Sequence, residues 1–269
     1  MTPNTDTGAQ LRSLYEQDGG VRAVFSTKVA DYIASRPDYP SPLFKALADT
    51  CGLSAGAVIA DIWSGTGLLS KGLVQMGWRV IAVEPNAAMR KASDHLLGNF
   101  PGYRSADGCA ESIPLEASSV HLITAAQAFH WFVAEKARAE CLRVLRPEGK
   151  VALIWNHRIL EDPLHAALDA IFAEFGGAKR AALAAHEQDP DMPSFFGAAI
   201  PPEFSWPHEH SLNEDGLASL VFSRSYMPER SSAGGKEVSL RVREAFNRFS
   251  SAGAVTVRYR TTAIIGRPE

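Results

Sequence analysis

Apolar and polar positions alternate between two periods along the chain. Ala57-Val58-Ile59-Ala60 is a short apolar run that stops at Asp61, Ser64, Gly65 and Gly67, after which Leu68, Leu69, Gly72, Leu73 and Met76 share roughly one helical face. Trp78–Val83 is a second run, closed by Glu84, and Tyr103–Ala106, Val120–Ala126 and Lys150–Trp155 read as third, fourth and fifth strands. Ala254–Thr262 alternates as a closing strand. Helical spacing fills much of the remainder: Val21–Ser35, Leu43–Cys51, a helix opened by Pro85 and Met89, Pro163–Phe175, Lys179–Glu187, Leu212–Ser223 and Glu237–Ser250. Strands separated by helices predict an α/β domain with a largely parallel sheet.

Composition narrows this in three ways. The 269 residues fit one domain over 21–269 behind a polar tail, 1–20, expected to be mobile. A net charge of −3, with no basic cluster longer than two residues, speaks against nucleic acid as a partner. The polar amino terminus lacks an apolar signal core, and no apolar segment approaches the roughly 20 residues that span a bilayer. Cys51, Cys109 and Cys141 are odd in number and far apart, so they read as free thiols in a reducing compartment. A cytoplasmic protein without a metal centre or membrane contact is expected; the oligomeric state is not legible.

The candidate chemistry centres on the first strand and its glycine turn. Strand, glycine turn and helix form the first half of a βαβ unit, where unpaired backbone N–H groups at the helix start can hold a polar ligand. Glu84, about twenty residues on, stands where a carboxylate accepts from a ribose diol. Two cofactors suit this geometry, a nicotinamide dinucleotide and S-adenosylmethionine. Ser70 occupies the place of a third glycine, and Asp61 suits a ligand carrying an ammonium group, so the local chemistry favours S-adenosylmethionine.

Asp61-Ile62-Trp63-Ser64-Gly65-Thr66-Gly67 resembles motif I of the class I S-adenosylmethionine-dependent methyltransferases. Ala110–Leu115, Ala126–Phe132, Leu142–Lys150 and Tyr32…Arg36-Pro37-Asp38-Tyr39-Pro40 are similar to further motifs of a small-molecule branch that includes trans-aconitate methyltransferase. The resemblance implies a Rossmann-like, mostly parallel seven-stranded sheet flanked by helices. It also implies an N-terminal helical lid over 21–50 and a substrate-side helical insertion over 157–206, after strand five. The implied cofactor-binding set is Tyr32, Arg36, Asp61, Ser64, Gly65, Thr66, Gly67, Glu84, Pro85, Met89, Ala110, Glu111 and Gln127. Tyr32 and Arg36 would stand near the methionine carboxylate, or simply cap the sheet; Met89 would wall the adenine, or fill core. Cys109 stands where many relatives carry an aspartate.

Topology puts Gln127, His130 and Trp131 at the carboxyl end of the fourth strand, where open α/β sheets bind ligands. His130 is the candidate catalytic base, with a helix-capping or core histidine as the other reading, and Tyr226 and His157 stand behind it. A carboxylate nucleophile would need no base and would prefer an arginine such as Arg158 or Arg224. Phe195, Phe196, Phe204 and Trp206 either line the substrate pocket or pack ordinarily. Trp63 departs from the motif, replacing its first glycine: the indole could turn into the core, cover the cofactor or fill its site. Three functions therefore stay open: methyl transfer to a small-molecule O, N, S or C nucleophile; a methyltransferase fold serving as a cofactor-independent catalyst or binding protein; and an NAD(P)-dependent oxidoreductase.

Overall fold

A computed structural model describes residues 12–188 and 192–269. Its strands are β1 (Val58–Ile62), β2 (Arg79–Val83), β3 (Tyr103–Ala106), β4 (Val120–Ala126), β5 (Leu145–Arg158), β6 (Glu203–Leu212) and β7 (Val255–Gly266). They form one seven-stranded sheet in the order β3-β2-β1-β4-β5-β7-β6. The first five pair in parallel, whereas β7 runs antiparallel to both β5 and β6. Continuous apolar runs suit such inner strands because both faces are covered. In β1, Ala60 and Ile62 enter one core cluster and Ile59 the other, as the two-residue period requires. Strand order reverses between β1 and β4, which opens a crevice beyond their carboxyl ends.

Helices flank the sheet: α1 (Gly20–Ser35), α2 (Ser41–Cys51), α3 (Leu68–Gln75), α4 (Ala87–Leu97), α5 (Ala134–Val144), α6 (Pro163–Gln188), α7 (Met192–Phe196), α8 (Glu214–Phe222) and α9 (Ala233–Phe249). The Rossmann-like architecture, the N-terminal helices and the helical insertion after the fifth strand are those the sequence led us to expect. Gly177 (φ 55°, ψ −149°) breaks α6 between the two segments that read separately as helical. Among the described residues, no helix is long and apolar enough to cross a membrane.

Several expectations need correcting. The sixth strand went unread, and residues 203–206 of the expected insertion belong to it. Phe204, Trp206, His208 and His210 show its alternation, but Pro207 disguised it; β6 is an edge strand, where a proline is tolerated. Phe204 and Trp206 stack on each other and pack against the core, while Phe195 and Phe196 are fully buried. Pro85 precedes the Asn86 cap of α4 and does not open the helix. Part of the tail, residues 1–11, lies outside the described residues, as do residues 189–191, where a turn was expected. Within 12–20 the chain makes a 3-10 turn, and Tyr15 is buried with its hydroxyl 2.9 Å from Ser225 Oγ.

The packing of α3 yields a direct test. Gly72 faces the Phe44 ring so closely that a Cβ would overlap it. Gly72→Ala should therefore destabilise the fold by about 1–3 kcal/mol through overpacking, despite alanine's better helix propensity. A urea midpoint equal to or above that of the parent would contradict this packing.

Candidate functional site at the carboxyl ends of β1, β2 and β4

The loop after β1 takes three left-handed turns in five residues: Trp63 (φ 54°), Gly65 (φ 58°) and Gly67 (φ 85°). Glycine adopts this conformation freely, whereas a tryptophan there is strained. Glu84, 4% exposed at the end of β2, accepts from the Gly65 N–H (2.9 Å) and the Asn86 N–H (2.8 Å). It therefore fixes the loop to the next strand. Burial pushes its pKa up to about 6, against the lowering effect of those two N–H groups. Asp61 is likewise pushed to about 6 by burial, partly offset by the Ser70 (2.6 Å) and Thr124 (2.8 Å) hydroxyls, on which both its oxygens are spent.

Asn86 ties the start of α4 to α1. Its Oδ1 accepts from the Ala88 and Met89 N–H groups, capping α4, while Nδ2 donates to the Arg22 carbonyl (2.6 Å) on α1. Further along α1, Phe25 packs edge-on against Trp131, and the Arg36 guanidinium lies over the Tyr32 ring at 4.6 Å. Arg36 donates to Ser223 Oγ (3.0 Å) and to the Ser223 carbonyl. The Trp63 indole lies parallel to the ring of Trp131, in the 3-10 turn after β4 (9°, centroids 6.1 Å apart), and beside Phe132.

The remaining candidates separate into distinct places. Met89 and Ala110 are buried, and Glu111 accepts from the Val133 N–H (2.8 Å). His130 is buried in a 3-10 turn against the Trp131 ring. Gln127 (φ 56°) donates to the Asn156 carbonyl and opens onto a cavity of about 600 Å³. His157, Arg158, Arg224 and Tyr226 also line this cavity. Arg36 and Thr66 line a second hollow of about 550 Å³, bounded by Lys71, Phe100, His208 and His210.

Among the cavity residues that escaped sequence reasoning are two charged ones on the inserted α6, Asp169 and Arg180. Asp169 pairs with Arg158 (3.0 Å) and with Arg180 (2.9 Å). Their only signal was charge within an alanine-rich helix.

The loop residues fit an adenosyl cofactor. Trp63 Nε1, Ser64 Oγ and Thr66 Oγ1 are buried and have no hydrogen-bond partner, so this one loop presents three unanswered polar atoms. A Cβ on Gly65 would meet nothing within 4 Å, which leaves its backbone open to close approach. Among the described residues, no group of three or more His, Cys, Asp or Glu side chains could hold a metal ion.

Comparison with known proteins gives concordant matches. Residues 60–153 match a family model described as a methyltransferase domain. An uncharacterized methyltransferase of Schizosaccharomyces pombe is 39% identical over 135 residues, 50% of this chain and 53% of the relative. The chain thus spans about half the length of its fission-yeast relatives. An uncharacterized methyltransferase of Mycobacterium bovis is 32% identical over 202 residues, covering 75% of this chain and 76% of the relative. Among solved structures, a proposed type II methyltransferase from Anaeromyxobacter dehalogenans superposes with a TM-score of 0.63 at 24% identity, covering 87% of this chain and 99% of its own; that likeness speaks to the fold.

Proposed function

Because the chain belongs to the class I S-adenosylmethionine-dependent methyltransferase superfamily, we propose that it moves a methyl group from that cofactor to a small-molecule nucleophile. The observation that carries this reading is the glycine loop: the Ser64 and Thr66 hydroxyls, buried without partners, beside a buried acid that holds the Gly65 N–H. Ser64, Gly65, Thr66 and Gly67 would hold the cofactor with Asp61 beneath them. Glu84 and Pro85 would stand at its ribose, Met89, Ala110 and Glu111 at its base, and Tyr32, Arg36 and Gln127 at its methionine end. The bound cofactor supplies a sulfonium whose methyl carbon is already activated toward displacement. With that group bound, an acceptor's lone pair would form the new bond to carbon as the carbon–sulfur bond broke, the electron pair remaining on sulfur. The protein's share is to align acceptor and methyl group in a dry site, which is worth roughly 7–11 kcal/mol. His130 is the proposed base for an acceptor that must lose a proton, with His157, on the cavity wall, as the alternative.

One observation keeps a second reading in play. Trp63 stands in the loop with its ring stacked on Trp131, and an indole that swung from there into the cofactor's place would leave a methyltransferase fold without normal cofactor use.

Calorimetry with S-adenosylmethionine tests the proposal, and its pH dependence tests the role of Glu84. A ribose hydroxyl donates more strongly to the ionised carboxylate than to the protonated acid. As pH falls through about 6 the group takes up a proton that binding must expel, so affinity should fall up to tenfold per pH unit. Binding about tenfold weaker at pH 5 than at pH 7 is the expected result. Saturable binding with no pH dependence would remove the carboxylate from the contact, and no binding at any pH would end the proposal.

A further inference from the structure

We propose that the chain from Arg12 to Asp18 is a strap across the cofactor crevice, with Tyr15 as its latch and as a positioning residue that steadies the glycine loop through Trp131. The word cofactor rests on the methyl-transfer reading; the strap and its latch do not.

The anchorage carries the first part. Tyr15 is 0% exposed, and its ring meets the Trp131 ring edge-on with centroids 5.6 Å apart. Trp131 in turn stacks on Trp63, inside the glycine loop, so a single ring stands between the strap and the loop. The Arg12 guanidinium donates to the Trp131 carbonyl. The Tyr15 hydroxyl reaches Ser225, 210 positions away in the chain. Asp18 pairs with Lys179 on the inserted α6, whose ammonium lies 4.9 Å from the Tyr15 ring centroid. A segment that merely trailed from the domain would bury no tyrosine and would not be tied to three separate elements.

Topology carries the second part. Trp131 lies beyond β4 and Asn86 beyond β2, with β1 and its glycine loop between them. Arg12, Tyr15 and Phe25 touch the first; the Arg22 carbonyl and the Ser26 hydroxyl touch the second. Residues 12–26 thus bridge the two banks of the crevice. A joint is built into that bridge: Gly19 (φ 82°) and Gly20 (φ 87°) are successive left-handed residues between the 3-10 turn and α1. Such a pair favours glycine, and it lets the strap swing while Lys28 of α1 keeps its bond to the Met227 carbonyl (3.2 Å). A handful of contacts around one buried ring is what allows a segment of this kind to open on its own. While shut, it slows the exit of a molecule held beneath it.

The test uses the full chain and two readouts. Hydrogen exchange comes first, without cofactor. Tyr15→Phe and Ser225→Ala should each speed exchange of the strap amides about fivefold, the worth of one buried neutral hydrogen bond, and the double variant should go no further. Tyr15→Ala, which also loses the ring, should speed it by about thirtyfold or more and loosen residues 63–67 as well. The α9 amides should keep the parent's rates in every variant. Stopped-flow fluorescence then follows S-adenosylmethionine: its dissociation should quicken about fivefold in Tyr15→Phe and about thirtyfold in Tyr15→Ala, with association no slower than in the parent. Unaltered exchange at 63–67 in folded Tyr15→Ala would overturn the link through Trp131. Additive effects of Tyr15→Phe and Ser225→Ala would overturn the latch, and acceleration that extends to α9 would make Tyr15 an ordinary core residue and overturn the strap. Cofactor binding with the parent's rates in every variant defeats this inference alone. The expected exchange pattern with no cofactor binding defeats the proposed function alone.

Discussion

Glu84→Ala is expected to weaken S-adenosylmethionine binding about a hundredfold. The side chain ties the glycine loop to the end of β2 through Gly65, beside the weaker Ser64 N–H bond to the Val83 carbonyl (3.3 Å), and it also holds the Asn86 N–H. Hydrogen bonds to a charged group are worth about 1.5–3 kcal/mol each. Losing the ribose contact together with the loop's anchorage therefore amounts to roughly 3 kcal/mol, which is about two powers of ten in affinity. Glu84→Gln should fall between: its amide keeps one acceptor oxygen but turns an N–H toward one of the two backbone N–H groups, for a loss of about tenfold. Circular dichroism establishes that both variants are folded, and calorimetry gives the dissociation constants. A folded Glu84→Ala protein that binds as tightly as the parent would show that the cofactor does not rest on this acid.

The second large effect concerns Trp63→Gly, for which stability and binding should part company. Removing an indole packed against Trp131 and Phe132 costs about 3 kcal/mol, the low end for a large aromatic because Trp63 is half-buried. Relief of the left-handed backbone, φ 54° at a non-glycine residue, returns about 1 kcal/mol. A net loss of about 2 kcal/mol should lower the melting temperature by roughly 4–8 °C for a chain of this size. Cofactor affinity should stay within about threefold, a difference of roughly 0.7 kcal/mol, because the ring is held against Trp131 and Phe132. The contrary result is equally plain: no binding by the parent and saturable binding by the glycine variant would mean that the indole fills the crevice. The second reading of the fold would then stand.

Much of the scaffold was legible because it depends on local periodicity. The buried runs of β1, β2 and β4, and the glycine turn before α3, declare themselves within a dozen residues. β6 did not, because a proline interrupts its alternation and its partner β7 lies some fifty residues away in the chain. The glycine loop itself was readable from the motif, but the bonding of Asp61 to Ser70 and Thr124 was not, since Thr124 reaches it only through strand pairing. Arg36 shows the same limit: its contact with Ser223 joins residues 187 positions apart. The arginine cavity lay furthest from view. Arg158 and Arg224 were noticed singly, but only the fold places both beside Phe172.

The break at Gly177 has a consequence for how such a pocket can change over time. On an uninterrupted α-helix, positions 169 and 180 would be about 16 Å apart along the axis. Here their side chains meet at 2.9 Å, so the inserted segment doubles back on itself. With ψ at −149° and φ at 55°, the bend lies close to a region that only glycine visits comfortably. The arm is thus a self-contained module: lengthening or shortening either side of its elbow would reset the depth and charge of the chamber while leaving the sheet's register untouched.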